Sequence, residues 1–258
     1  MRVGLRLLST DTESYIYEVP KLYENGGFDY IELRVIPNTL ERIKYWKILK
    51  QNHNVDFVLH APFSSLGVNL SEKSKFEFNK EMFEQAKEFL YELDADYMVV
   101  HSGVEGDIKE TVRQLNIINP PKMLIENKPF TPPGDSEIKC RGAIPEEIEY
   151  VRKNHPCGFC LDIAHALCTA NSLNKEPYEF LSEFQKFLPD AYHISDNPIN
   201  SAYDGHRNLG KGEYDFKKIL EIVDSSKNFT LETPKNSEYS LDMFAEEVKF
   251  LKSFVNQN

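Results

Sequence analysis

The chain has 258 residues, 41 % of them hydrophobic and 28 % charged, with a formal net charge of −11. That length buries a sizeable core and is expected to form one α/β domain over residues 1–258 rather than two small ones. So acidic a balance counts against a general nucleic-acid binder, which needs Lys and Arg for phosphate contacts, although a local basic rim or bound cations can reverse the global sum.

In chain order, the opening Met1–Ser14 holds an apolar run too short for a signal sequence, and no later stretch approaches a membrane span. The expected location is the cytoplasm, with no membrane partner. Strand candidates follow at Val3–Leu8, Tyr30–Ile36, Asp56–His60, Tyr97–His101, Met123–Glu126, Gly158–Asp162, Ala191–Ser195 and Phe229–Glu232. Most are continuous apolar runs, such as Tyr97-Met98-Val99-Val100, as parallel strands covered on both faces require. Helical patterns separate them. Ser71–Leu93 places Phe76, Met82, Phe83, Ala86, Phe89, Leu90 and Leu93 on one broad face. Ser240–Val255 opens on a serine suited to an N-cap and repeats Met243, Val248, Leu251 and Phe254. Strands alternating with helices give βαβ units. Eight units favour a closed (β/α)₈ TIM barrel, and no GxGxxG follows the first strand to suggest a dinucleotide fold.

The Pro-rich Lys128–Gly134 stretch reads as a long loop after the fifth strand, and Phe130–Arg141 as a candidate lid or specificity element. Cys157-Gly158-Phe159-Cys160 has the spacing of a redox or zinc pair. It has no second pair to complete a knuckle, so free thiols are expected at Cys140, Cys157, Cys160 and Cys168.

The informative pattern is positional. The later strands stop on metal-competent residues: His60, His101, Glu126, Asp162 with His165, His193, and Glu232. The loop after strand seven adds Asp204 and His206. In a parallel barrel these ends share one face and converge on the axis. Five of the seven histidines fall in this set, whereas His53 and His155 are expected in helix-to-strand turns on the opposite face, as surface residues. One such histidine alone would be an ordinary hydrogen-bonded residue. The whole set is too costly to bury without compensating cations, and the neighbouring motifs offer only Lys128, Arg207 and Lys211. Divalent metal ions are the simplest neutralisers. Imidazoles with carboxylates suit Zn²⁺, Mn²⁺ or Fe²⁺, and nine candidates exceed the coordination of one ion.

These motifs resemble the xylose isomerase-like TIM barrels, a superfamily that includes endonuclease IV (AP endonuclease family 2) and sugar phosphate isomerases and epimerases. The resemblance runs from His60 to Pro234. It is most specific at Cys160-Leu161-Asp162-Ile163-Ala164-His165, His193-Ile194-Ser195-Asp196, Asp204–Gly212 and Leu231-Glu232-Thr233-Pro234. Membership of the endonuclease IV branch implies up to three zinc ions. His60 and His101 would hold the first, and Glu126 would bridge it to a second completed by Asp162, His193 and Glu232. His165, Asp204 and His206 would hold the third. The implied reaction is hydrolysis of a phosphodiester in abasic-site DNA, with Glu126 orienting the nucleophile.

Other segments look like the sugar isomerase branch, namely Tyr30-Ile31-Glu32-Leu33, Ile125-Glu126-Asn127 and Gly212–Phe216. Candidates for the DNA-inserting side chains of the endonucleases are Arg34, Phe63 and Leu66, a loose match. Two chemistries therefore stand. The first is a zinc-dependent phosphoesterase. The second is a metal-dependent isomerase or epimerase acting on a small sugar or phosphorylated substrate. There Glu126 and Glu232 exchange a proton beside a carbonyl, and His165 holds a sugar hydroxyl. A metal-binding barrel without activity is a third outcome.

Overall fold

Eight short strands pair in sequence order, all parallel, and close on themselves as β1-β2-β3-β4-β5-β6-β7-β8. The computed structural model describes residues 1–255 apart from positions 16, 133, 135, 136, 236 and 238. The strands are β1 (Arg2–Leu8), β2 (Tyr30–Arg34), β3 (Asp56–His60), β4 (Met98–His101), β5 (Met123–Glu126), β6 (Gly158–Asp162), β7 (Ala191–Ile194) and β8 (Asn228–Leu231). Around them run helices α1 (Glu18–Glu24), α2 (Ile43–His53), α3 (Phe76–Glu92), α4 (Ile108–Ile118), α5 (Pro145–Asn154), α6 (Ile163–Ser172), α7 (Pro177–Gln185), α8 (Phe216–Ile222) and α9 (Asp242–Val255). The expected TIM barrel is the observed fold.

Differences from the expected bounds have local causes. Strand two stops at Arg34 because the Ile36 N–H is taken by Ser9 Oγ, 2.9 Å away. The third helix begins at Phe76, after a 3-10 turn at Lys73–Lys75. Ser71 is held outside it, its hydroxyl bonded to Asn69 Oδ1 and Val104 O at 2.8 Å. The last helix begins at Asp242, so Leu241 and not the expected Ser240 is its N-cap; Ser240 stands one residue earlier and its hydroxyl accepts the Asp242 N–H at 3.2 Å. Of the Phe130–Arg141 segment, positions 133, 135 and 136 lie outside the described residues. His53 ends α2 and bonds Glu24. His155 is not a surface residue. It is buried at the end of α5, Nδ1 on Asn116 Oδ1 at 2.9 Å, because α5 packs against α4 there.

The large core lies between strands and helices and takes the outward strand residues, among them Leu5, Ile31, Phe57, Phe159, Tyr192 and Phe229. A small separate cluster of Val99, Leu124, Cys160 and Ala191, with Tyr97, fills the barrel interior. Side chains alternate along a strand, so the inward position two residues on is the strand end. Val99 is followed by His101, Leu124 by Glu126, Cys160 by Asp162 and Ala191 by His193. The register sets His101 beside Glu126 and Asp162 beside His193. Tyr30 crosses the interior over Gly4, where any Cβ would overlap its ring, and bonds Thr230 Oγ1 at 2.9 Å.

All four cysteines are free. Cys157 and Cys160 stand three residues apart at a strand and so project to opposite sides. Burial pushes their thiols up to about 11 and about 12, which is not a redox pair.

Candidate metal centre at the barrel mouth

All nine expected side chains lie at the carboxyl ends of the strands or in the adjoining loops, and eight are buried; His206 is half-buried. They meet in groups. His60, His101 and Glu126 form one, and His165, Asp204 and His206 another. Glu126 and Asp162 also meet His165, while His193 and Glu232 meet beside Glu32.

The hydrogen-bond partners of the histidines fix where their lone pairs point. His60 Nδ1 lies 2.8 Å from the Ala61 carbonyl, and His165 Nδ1 lies 2.9 Å from the Asn127 carbonyl. A carbonyl only accepts, so these nitrogens carry protons and Nε2 is the atom left to face an ion once it is deprotonated. His60 Nε2 then faces His101 Nε2 and Glu126 Oε2, each 3.2 Å away, and His165 Nε2 faces Asp204 Oδ2 at 3.4 Å. His193 uses Nε2 on Glu32 Oε2 at 2.9 Å, which turns Nδ1 toward Glu232 Oε1 at 3.2 Å and Glu126 Oε1 at 3.7 Å. His206 Nδ1 is 3.2 Å from Asp204 Oδ2. Once deprotonated, these nitrogens and the carboxylate oxygens repel unless a cation lies between them. Two donors at about 2.0–2.1 Å from one tetrahedral ion are about 3.3 Å apart, the spacing seen here.

Buried side-chain atoms with no hydrogen-bond partner include Glu126 Oε1, His193 Nδ1, Asp204 Oδ2, His206 Nδ1 and Glu232 Oε1. The donor set thus fits divalent ions of the zinc type, with an acceptor or carboxylate behind the histidines at 60, 165 and 193.

Local sequence builds this geometry. Asp162 ends β6 and is also the N-cap of α6, its Oδ1 accepting the His165 N–H at 2.7 Å. Asn127 clamps Asp162 by its backbone, Oδ1 on the N–H at 2.7 Å and Nδ2 on the carbonyl at 2.9 Å. The 197–214 loop is gathered by Asp196. Its carboxylate accepts the N–H groups of Asn197, Gly210, Gly212 and Tyr214 at 2.8–3.2 Å. A Cβ at Gly212 would overlap Asp196 and the Asn197 backbone. Asn197 Nδ2 holds Asp204 Oδ1 at 2.9 Å, leaving Oδ2 for the two histidines. His206 takes a left-handed backbone, φ 45°, a strained choice for a non-glycine residue.

Charge in the cluster is polarised. Burial opposes ionisation of Glu126, but His101 and His193 hold its carboxyl well below the usual range. Glu232 is held low in the same way by Arg6, whose Nη1 is 2.6 Å from Oε2. Asp162 is pushed up to about 7 by burial and by Asp204, Glu126 and Glu232 around it. Burial works against a charged His193, yet Cys160, Glu32, Glu232 and Glu126 raise it well above its ordinary value. Burial lowers His101 and His206, against the pull of Glu126 on the first and of Asp204 and Glu232 on the second.

In the metal-free protein near neutrality, Asp162 and His193 thus hold protons that an ion must displace. Zinc loading is expected to release protons, more at pH 6 than at pH 8. Calorimetry in buffers of different ionisation enthalpy measures this, and a release that does not fall with pH would contradict it.

The strand-end pattern missed contributions from the first two strands. Arg6 and Arg34 line the mouth, whereas Arg207 and Lys211, expected there as bases, are exposed and do not line it. Their loop turns outward once Asp196 has drawn the glycines inward. Of the three expected bases, Lys128 lines the cavity. Glu32 bonds His193 and also accepts from Thr230 Oγ1 at 2.9 Å, so its place is behind the histidine. The available signal was a lone charge within an apolar strand, Arg6 in Leu5-Arg6-Leu7 and Glu32 in Ile31-Glu32-Leu33. Glu32→Gln is expected to weaken zinc binding at the His193 site about 10–100-fold while the fold survives. Chelator competition measures it, and unchanged affinity would remove Glu32 from the support of the site.

Above the groups opens a cavity of about 600 Å³, bordered by His60, His101, His165, Asp204, His206 and Glu232 below and by Arg34, Phe63 and Lys128 on one wall. No helix among the described residues is long and apolar enough to cross a membrane.

Comparison with known proteins agrees with this architecture. A probable endonuclease 4 of Clostridium beijerinckii is 25 % identical over 235 residues, covering 83 % of this chain and 82 % of the relative. The structure of endonuclease IV from Thermus thermophilus superposes with a TM-score of 0.74 at 18 % identity, covering 100 % of both chains. That of a D-tagatose 3-epimerase-like protein superposes with a TM-score of 0.76 at 24 % identity, covering 100 % of this chain and 98 % of the other. The family profile described as xylose isomerase-like TIM barrel matches residues 21–254. With most of its length matched, the chain belongs to the xylose isomerase-like TIM barrel family.

Proposed function

We propose that the protein is a divalent-metal-dependent phosphoester hydrolase of the endonuclease IV type, holding up to three zinc ions at the barrel mouth. One observation carries the proposal. The His60/His101/Glu126 and His165/Asp204/His206 groups each converge as a ligand set in their own right, beside the carboxylates and His193 of the central group. On a one-ion reading His60, His101, Asp204 and His206 would instead be substrate contacts or vestigial ligands. The likeness to a probable endonuclease 4 supports the hydrolase reading.

His60 and His101 would hold one ion. Glu126 would bridge it to a second, held with Asp162, His193 and Glu232, and His165, Asp204 and His206 would hold a third. Such ions supply Lewis-acid stabilisation of a phosphoryl group and a water acidified toward neutrality. Glu126, kept ionised, is placed to accept a proton or orient the nucleophile. Arg6 keeps Glu232 ionised and adds a fixed positive charge where negative charge develops. His206, half-exposed, is placed to meet a leaving group.

A second reading has its own support. Glu126 and Glu232 both present an Oε1 to His193 Nδ1, at 3.7 and 3.2 Å, the arrangement for one ion flanked by two proton-exchanging carboxylates of an isomerase or epimerase. Metal analysis of purified protein separates the two. Close to three zinc ions per chain is the expected result, and a single manganese ion would overturn the hydrolase. Cleavage of an abasic-site duplex, with Glu126→Gln as control, then shows whether DNA is a substrate.

A further inference from the structure

The cavity wall beside the metal groups carries two cations that the ligand chemistry does not use. Arg34 ends β2, paired in register with His60, and Lys128 lies two residues beyond Glu126. Phe63 stands between them. The Arg34 guanidinium carbon is 4.1 Å and Lys128 Nζ 5.7 Å from its ring centroid. The same ring packs on His60 and His101, with centroids 5.3 and 4.5 Å apart. Among the described residues neither cation has a carboxylate partner within ion-pair distance, and Arg34 Nε is buried without a hydrogen bond. Arg6, the third cation of the lining, is by contrast committed to Glu232.

Two like charges on one aromatic ring repel, and desolvation adds to the cost. The acidic groups below are matched to metal ions. What remains is a polarised cavity with ligands for cations at its floor and a cationic wall one aromatic ring away.

We infer that Arg34 and Lys128, braced on Phe63, form an anion subsite, and that the substrate is a compact small molecule whose phosphate rests there while a separate phosphoester, the reacting group, lies over the metal groups. The inference rests on the metal-dependent reading of the mouth. Size favours a small molecule over a nucleic-acid strand, since about 600 Å³ falls within the roughly 300–1,000 Å³ of small-ligand pockets. Charge does so too. The two cations lie inside the cavity of a chain of net charge −11, whereas a duplex binder spreads Lys and Arg along an open face. Arginine matches a phosphate bidentately and lysine adds a point charge.

The test compares ribose 5-phosphate with ribose on the zinc-loaded protein by calorimetry, in wild type and in Arg34→Gln/Lys128→Gln, with zinc content and thermal midpoint measured for each. Wild type should favour the phosphorylated sugar at least about ten-fold. The double variant should lose that preference with zinc content unchanged, and Arg34→Lys should retain part of it. Equal binding of the two sugars by wild type, or a preference that survives the double variant, would overturn the inference, as would an abasic duplex binding more tightly than the sugar phosphate through the same residues. A protein that holds three zinc ions yet shows no preference sinks the subsite alone. One that shows an Arg34-dependent preference without binding metal sinks the hydrolase reading instead. Should the double variant fail to fold, Arg34→Lys and Lys128→Gln singly must each shift the preference, and two unchanged preferences reject the subsite.

Discussion

Glu126→Gln is expected to reduce kcat/KM roughly 10³-fold or more and to lower zinc content by at least one ion. Glu126 is buried at the end of β5, with Oε2 2.8 Å from His101 Nε2 and 3.2 Å from His60 Nε2, and Oε1 3.2 Å from His165 Nδ1. Among the described residues no other carboxylate lies within ion-pair distance of His60, His101 and His165 together. Glutamine keeps the shape but removes the charge and turns one ligand atom into a donor, which faces the same lone pairs that a cation should satisfy. Stabilisation by bound zinc should shrink in step, because it scales with the logarithm of ligand concentration over Kd. Zinc analysis, steady-state rates and melting with and without zinc check the three parts together. A Gln variant with three tightly held ions and normal turnover would remove Glu126 from the centre of the chemistry.

Asp196→Ala should have the largest structural effect of any change outside the ligand set. Its carboxylate accepts four backbone N–H groups, and its own backbone exchanges two bonds with Arg207 at 2.8 and 2.9 Å. Removing the side chain orphans those donors, at a cost on the order of 3–5 kcal/mol for hydrogen bonds to a buried charge. The 197–214 loop carries Asp204 and His206, so on the proposed three-ion reading one zinc should be lost while the barrel remains folded. Urea unfolding, zinc analysis and limited proteolysis within the loop read this out. Three retained ions with a stability change below about 1 kcal/mol would show that the loop holds itself.

The fold was legible because the outer face of each strand is apolar and the helices repeat at their own period, so each run of Val, Ile, Leu or Phe marked one element. The candidate ligand positions at the barrel mouth were legible for a narrower reason. The inward positions of β4 to β7 pass from an apolar residue to a polar one within two residues, as in Val99 to His101 or Ala191 to His193, and that change marks the top of the barrel. Arg6 and Glu32 fall outside the strand-end pattern because they do not end their strands. Their roles depend on neighbours far away in sequence, Glu232 for one and His193 for the other. His155 was misplaced because burial in a turn depends on which helix packs over it. The backing of the histidines by the carbonyls of Ala61 and Asn127 could not be read from side-chain types at all, since any residue supplies a carbonyl.

The fixed orientation of His60, His165 and His193 has a consequence for how ions come and go. Each ring is held by a partner on the barrel wall rather than by the ion, and Asp162 cannot swing away without uncapping α6. The order needed for coordination is therefore set during folding, before any ion arrives. A chelated protein should stay folded and refill at a rate governed by water exchange on the incoming cation. Ions of similar size should then substitute for one another within a single rigid frame.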